Sequence, residues 1–464
     1  MLPKNVQYQS KVEGASARRY LSKIQPQTGT QFGVGETIII NIPTRNNLLR
    51  IPSETVLRFD ISMTLAAATV VSALESCGWH GCFSRMRLFH GSNLLEDVQN
   101  YSELAKILLD FQVPLDTVQG RNSVTGGTEN AYVGLSGTAT GADPSGVVFA
   151  LPVNRGRNFS ALNATSGISG ATGMTASINL ISFVGSLAGG KYLPLFAATS
   201  APLRLELTVA SSVAQIGCFS PNLPSTFLLQ NVNLQCEFLE LPDAAIAAIM
   251  AGSSNPIQLV LPDYRAYTYS QGVTASSAVQ ISMPIPAKFS SLKHIFVNSR
   301  NATAAATRYP FASTPLGLSQ YVYRVGAETL PAQPGSTLQE YFNEACKCFG
   351  SLSDLNYQPA VDITAYGANY PAQTPSLDIS AGTITTYVAG CHTNSGSFIT
   401  GIDLENYQGA DKSTIFAGMN TTTSDIYYLP QFNVPAGVSN IFFTAFAGYD
   451  CVVVFENGTV YTRF

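Results

Sequence analysis

Charge is what this chain has least of. Only 12% of its 464 residues are Asp, Glu, Lys or Arg, where about a quarter is usual in soluble proteins. Hydrophobic residues reach 45%, so much of the surface must be neutral, and a neutral surface protects a monomer poorly against association. The simplest consequence is a surface largely covered by neighbours. The formal net charge of −4 excludes a global electrostatic pull toward nucleic acid or acidic membranes. Histidine is scarcer still, with only His80, His90, His294 and His392. No His-x-His or His-Glu-x-x-His occurs, which argues against a cupin-type metal site and a zinc-protease helix. There is no Gly-x-Ser-x-Gly elbow, phosphate loop or dinucleotide fingerprint either, and Gly33-Val34-Gly35 lacks the strand-then-helix setting such a fingerprint needs. An enzyme is the weaker reading, and no cofactor or small-molecule substrate is expected.

Long apolar runs are missing too. The longest, around Leu65 to Leu74, is Ala-rich and well short of the roughly 20 residues of a membrane span. The opening Met1-Leu2-Pro3-Lys4-Asn5 has no signal-peptide core. The eight cysteines, Cys77, Cys82, Cys218, Cys236, Cys346, Cys348, Cys391 and Cys451, are scattered in a chain too large to need disulfide staples. These features predict synthesis in a reducing cytoplasm without secretion, with the sequons at Asn158, Asn163, Asn301, Asn420 and Asn457 unmodified. The densest cluster is Cys77-Gly78-Trp79-His80-Gly81-Cys82. Its spacing could hold zinc, but no second half-site accompanies it, and a tight turn is the better reading. Cys346 and Cys348 lie two apart on a predicted helix and so point away from each other, as buried packing residues would.

What is present is β structure, laid out twice. Tyr192-Leu193-Pro194-Leu195-Phe196 returns as Tyr428-Leu429-Pro430-Gln431-Phe432, and the segment Met86 to Leu95 returns in kind as Tyr321 to Leu330, both at an offset of about 235. Common offsets in one order imply two tandem copies of one unit. Leu57, Phe59, Ile61 and Met63 alternate strictly with polar residues, as do Leu203 to Val209 and Val232 to Phe238. One buried and one wet face is the mark of an antiparallel sandwich or barrel. Thr37 to Ile42, Val279 to Met283, Tyr321 to Val325, Ile441 to Phe446 and Cys451 to Phe455 read as further strands. Asn457-Gly458 is a type I′ turn that closes a terminal hairpin.

Helices are few. Leu104, Ile107, Leu108 and Phe111 share a face, with Ser102 as the expected N-cap. Leu338, Tyr341, Phe342 and Ala345 do the same, with Thr337 and Glu340 spaced as a capping box. An Ala-rich helix from Asp243 to about residue 254 is the expected linker. The Gly/Ser/Thr/Ala-rich stretches 115–185 and 360–425 read as exposed excursions. Residues 1–30 form a basic arm with Lys4, Lys11, Arg18, Arg19 and Lys23 against the single acid Glu13. That leaves barrel domains at 31–242 and 255–464 and a linker at 243–254.

One family matches this order of features. It starts with a polar arm, then Thr37 to Ile42 followed by Pro43-Thr44-Arg45-Asn46-Asn47, then the strand Leu57 to Met63. After these come Arg85-Met86-Arg87-Leu88-Phe89-His90-Gly91-Ser92-Asn93-Leu94-Leu95 with its helix, Tyr192 to Phe196 and Pro202 to Leu207. This resembles the first barrel of double-jelly-roll major capsid proteins, the tectivirus–adenovirus lineage with its polinton-like, adintovirus and virophage relatives. The resemblance implies an all-β fold of two tandem eight-stranded antiparallel jelly rolls with a few short helices. It further implies homotrimeric, pseudo-hexameric capsomers tiling an icosahedral virion shell, with penton and minor capsid or cement proteins as partners. The arm would then face an internal membrane or the genome. The alternative is a non-viral tandem β-sandwich binding module of lectin type, which would ordinarily carry a secretion signal and exposed aromatics or calcium-binding acids.

Overall fold

The computed structural model describes residues 17–64, 77–114, 174–212, 226–252, 256–301, 313–350, 396–406 and 417–464. It also describes 73–74, 215, 218–219, 311, 359–361, 363–367, 379–380 and 383–384 between them. The first half supplies eight long strands: β1 (Arg18–Ile24), β2 (Thr37–Ile42), β3 (Leu48–Thr64), β4 (Phe83–His90), β5 (Asn93–Gln99), β6 (Met174–Ile178), β7 (Leu203–Val209) and β8 (Thr226–Glu240). They form two antiparallel sheets, β1-β8-β3-β6 and β2-β7-β4-β5. The second half repeats the plan. Its strands are β9 (Ile257–Gly272), β10 (Ala278–Gln280), β11 (Met283–Ile285), β12 (Leu292–Asn301), β13 (Leu318–Val325), β14 (Glu328–Leu330), β15 (Ile399–Asp403), β16 (Ile426–Asn433), β17 (Asn440–Glu456) and β18 (Thr459–Arg463). One sheet runs β9-β17-β12-β15 with β18 added beside β17, and the other runs β16-β13-β14 with β10 and β11 in line on the far edge of β16. The chain is a double jelly roll.

Alternation makes the strands. In β2, Ile38, Ile40 and Ile42 are fully buried while Thr37, Ile39 and Asn41 are half-buried. In β3, Leu57, Phe59 and Ile61 face the core between Arg58, Asp60 and Ser62. Burying each such side chain contributes about 1.5–3 kcal/mol. The β4–β5 and β13–β14 hairpins are true equivalents. Each closes over two residues, Gly91-Ser92 and Gly326-Ala327. Each glycine has positive φ, +57° and +59°, a geometry that glycine adopts without strain. Asn457 and Gly458 also have positive φ and join β17 to β18 as the type I′ turn requires.

Several expectations change. Tyr192 to Phe196 is no counterpart of Tyr428 to Phe432. Leu193 makes only an isolated bridge to Arg50 and Leu195–Ala197 is a 3₁₀ turn, whereas Tyr428 to Phe432 lies within β16. The topological partner of β16 is β7. Residues 441–446 and 451–455 belong to one strand, β17, which continues through Gly448. A side chain there would collide with the His294 ring, so the glycine marks close packing, with the strand running on through it. Residues 279–283 instead divide between β10 and β11. The expected excursions are shorter than 115–185 and 360–425: Met174–Ile178 is β6, Phe183 and Val184 are buried, and Ile399–Asp403 is β15. The remainder, 115–173 and most of 362–395 and 407–416, lies outside the described residues.

The helices are α1 (Tyr101–Gln112), α2 (Asp243–Gly252) and α3 (Leu338–Lys347), with one further turn at Ile363–Gly367. Asn100, at φ +51°, precedes α1 in place of the expected cap Ser102, which is buried inside the first turn. Asparagine tolerates the left-handed region that a serine enters less readily. The capping box on α3 is present: Glu340 N–H donates to Thr337 Oγ1 (3.3 Å) and Thr337 N–H donates to Glu340 Oε2 (3.0 Å). Among the described residues no helix is long and apolar enough to cross a membrane.

Candidate functional site

Of the five basic arm residues, Lys4 and Lys11 lie outside the described residues. Arg18, Arg19 and Lys23 lie on β1, hydrogen-bonded along β8 from Arg18 opposite Glu240 to Ile24 opposite Leu234. A free arm reaching to residue 30 is therefore replaced by a sheet strand from Arg18 onward. Strand alternation puts Arg19, Leu21 and Lys23 on one face and turns Arg18 to the other, over the Tyr20 ring at 5.6 Å, and all four are exposed. Arg19 is held by Glu54 and by Glu237 (3.1 Å). Its charge is thus already balanced within the barrel, and such exposed pairs contribute under about 1 kcal/mol.

The more elaborate arrangement is the seam where the two barrels meet, and α1 builds most of it. Its apolar face ends in Phe111, which stacks on Phe349 at 5.4 Å and meets Phe342 and Tyr366 of the second barrel. Glu103, Lys106 and Asp110 share another face at spacings of three and four, and all three are buried. Lys106 Nζ donates to Asp110 Oδ2 (2.8 Å) and to Ser397 Oγ (3.0 Å), and the Ser397 hydroxyl donates to the same Asp110 oxygen (2.8 Å). Glu103 accepts from the Asn298 amide and lies 3.4 Å from Arg300, both on β12. Asn298 in turn accepts from Thr444 N–H of β17. Buried charges persist only when they are paired and hydrogen-bonded. This network therefore ties α1 to one orientation on the second barrel. An amphipathic helix ordinarily turns its charged side to solvent; here the second barrel covers it, and the only clue in the chain is that the three charges fall on a single face.

A second clasp comes from the C-terminal hairpin. Val460 N–H donates to His90 Nδ1 (3.1 Å), and His90 Nε2 lies 3.2 Å from Ala198 O, to which it donates in the matching tautomer. Asn93 donates to Val460 O (3.0 Å) and Ser200 N–H to Gly458 O (3.0 Å).

Beside the seam lies a cavity of about 700 Å³ lined in part by Lys191, Tyr264, Lys293, His294, Cys348 and Tyr449. Lys293 is paired with Glu405 (2.7 Å) and lies 3.7 Å from Asp450. Burial pushes the Cys348 thiol well above its ordinary range, so it stays protonated and unreactive. Cys346 is buried as well, as its helix spacing implied. In the Cys77–Cys82 cluster, Gly78–Cys82 is a buried 3₁₀ turn. The His80 ring nitrogen Nδ1 sits 3.0 Å from the Tyr101 hydroxyl, and Trp79 packs edge-on to Phe59. Among the described residues no group of three His, Cys, Asp or Glu side chains is placed to hold a metal ion.

Comparison with known proteins places this architecture. No protein-family model matches the chain, and no curated protein does. Solved structures do match. One is VP54 of PBCV-1, in its crystal structure fitted into a reconstruction of the virophage Sputnik, with a TM-score of 0.58 at 9% identity over 98% of this chain and 99% of that one. The mavirus major capsid protein follows with a TM-score of 0.55 at 11% identity, covering 99% and 93%. The Faustovirus major capsid protein scores 0.54 at 11% identity, covering 98% and 93%. The chain thus has the double-jelly-roll fold of these viral major capsid proteins. At such identities the likeness establishes the fold.

Proposed function

We propose that this chain is a structural major capsid protein, three copies of which form a pseudo-hexameric capsomer of an icosahedral shell. One observation carries the reading: both barrels, in order, match major capsid proteins over nearly the full length of both chains. The low charge supports it, because a surface of small neutral side chains suits permanent contacts specified by shape. The barrels are taken as the two domains, with Asp243–Gly252 as the linker between them. Self-association comes first in this scheme, followed by contacts with penton and minor capsid proteins in a virion made in the host cytoplasm. Residues 1–17 would reach an inner membrane or genome with Lys4 and Lys11, aided by Arg18 and Lys23. Arg19 contributes less because Glu54 and Glu237 already hold it.

Light scattering with negative-stain microscopy tests the reading. Stable trimers with a hexagonal outline are expected, and a stable monomer at micromolar concentration overturns it. Replacing Lys4, Lys11, Arg18 and Lys23 with Gln should leave trimers intact and lower particle yield, more so at low salt because the interaction is screened. Equal particle yields at two salt concentrations would remove the role assigned to the arm.

A further inference from the structure

Two carboxyl groups are buried where β5 of the first barrel meets β9 of the second. Glu96 is 1% exposed and Asp263 is 3% exposed. Neither forms an ion pair among the described residues. Glu96 Oε2 accepts from the Ser182 hydroxyl (2.6 Å) and from Phe183 N–H (3.2 Å), while Oε1 has no hydrogen-bond partner among the described residues. Asp263 differs in that both of its oxygens are served, Oδ1 by Tyr264 N–H (2.7 Å) and Oδ2 by the Tyr449 hydroxyl. One carboxyl is solvated by protein donors as an anion, and the other has an oxygen left over in a buried place. A buried carboxylate with one oxygen unserved and no cation beside it favours its neutral form.

We propose that Glu96 keeps a proton on Oε1 at neutral pH, so that the joint where β5 packs on β9 loses stability when that proton is removed. The surrounding groups support this assignment. Burial, and then the charge of Asp263, hold the Glu96 carboxyl well above the usual carboxylate range. Burial raises Asp263 to about 6, opposed by its bonds from Tyr449 and Tyr264 and by Arg265, and assisted by Asp97. Asp97 is itself bridged by Arg85 at 2.7 Å. Tyr101 of α1 and Tyr449 and Cys451 of β17 act on these carboxyls, whereas Asp450, on the other face of β17, is bonded by Ser291 (2.7 Å) and lies 3.7 Å from Lys293. Burial raises Tyr101, Tyr449 and Cys451 out of the physiological range, so none of the three supplies a competing charge. The guanidinium of Arg265 lies over the Phe289 and Phe464 rings and reaches neither carboxylate as an ion pair. The proposal is independent of the capsid reading, since it concerns the joint within one chain.

The sign follows from linkage. A carboxyl whose folded-state pKa is raised binds more protons folded than unfolded, so its contribution to stability falls as pH rises from the unfolded value, about 4, to the folded value. Between about pH 4 and 6 both groups take part, and above about 6 the slope belongs to Glu96. Glu96→Gln places an amide where the proton would be, and Asp263→Asn removes the other charge. Thermal unfolding of the full chain from about pH 5 to 9 is the test. The Glu96→Gln midpoint should rise relative to wild type above about pH 6, by roughly 2–4 °C by the top of the range. Asp263→Asn should flatten the segment below about pH 6. Wild-type and Glu96→Gln curves that stay parallel throughout overturn the proposal. Infrared spectroscopy of the wild type supplies a check that needs no variant to fold. A protonated-carboxyl band should persist at neutral pH, and its absence overturns the proposal on its own.

Discussion

The two barrels share one topology and fill it with different chemistry. In the first, Met86 and Leu88 of β4 lie opposite Leu207 and Leu205 of β7, and all four are buried. At the corresponding places in the second stand Tyr321 and Tyr323 of β13, opposite Pro430 and Tyr428 of β16. A tyrosine hydroxyl inside a core must find a partner, and these find the edge strand of the other sheet. Tyr321 donates to Gly401 O (3.0 Å), Tyr323 to Thr400 O (3.2 Å), and Tyr428 OH accepts from Thr400 Oγ1 (2.8 Å). Tyr366 donates to Ile399 O beside them. At these positions the first barrel is therefore held across its sheets by contact area, and the second by area together with directed bonds. Pattern and volume specify a jelly roll; the choice between aliphatic and hydroxylated core is left open by them.

The largest break treats the barrels as one body. Lys106→Met leaves Asp110 charged and buried without its cation, which should cost about 3–5 kcal/mol. Because α1 belongs to one barrel and Ser397 to the other, both barrels should lose stability together. Adding Asp110→Leu should recover most of the loss. Denaturant unfolding followed by fluorescence of Trp79, the only tryptophan in the chain, reports the first barrel, and near-ultraviolet tyrosine circular dichroism mainly reports the second. Recovery that fails in the double variant would show that the helix is held by something other than this network.

Within the barrels the comparison sharpens. Leu205→Ala should cost about 2–5 kcal/mol through the cavity it leaves and should shift the Trp79 transition first. Tyr323→Phe should cost less, about 1–3 kcal/mol, the cost of an unsatisfied carbonyl at Thr400. It should act on the tyrosine signal while the Trp79 transition moves little. Equal shifts of both signals in both variants would mean that the barrels unfold as a single cooperative unit. Smallest is Thr337→Ala, which removes the α3 cap at about 1 kcal/mol. It should shift only the second-barrel transition.

Features whose cause lies within a few residues were legible in the amino-acid sequence. The apolar run of β2, the alternation in β3, the Asn457-Gly458 turn and the Thr337–Glu340 capping box are all local, and each stands where its residues put it. The segments around Gly91 and Gly326 were legible as a repeat with a shared glycine, and the structure adds that each is a two-residue hairpin whose turn requires positive φ there. Local similarity also misled. The pentapeptide at Tyr192 matches Tyr428 in letters, yet only the second copy has neighbouring strands on both sides.

The sequence by itself determined the strand content, the doubling of the unit and the near absence of charged surface. These follow from period-two burial and from composition, which act residue by residue. Tertiary structure alone decided that β17 runs unbroken past Gly448, because its ladder with β9 continues there with Tyr264 opposite Gly448, while the His294 ring, about 150 positions away in the chain, leaves room for no side chain. It also decided that β1 is a sheet strand, since its partner β8 lies some 210 residues further on. Glu103, Lys106 and Asp110 read as an ordinary wet helix face until Asn298, Arg300 and Ser397 arrive from the other barrel. Glu96 and Asp263 are brought to one buried joint only when β5 meets β9. Pairing energies of this kind depend on distance and dielectric, and both are set by the folded chain.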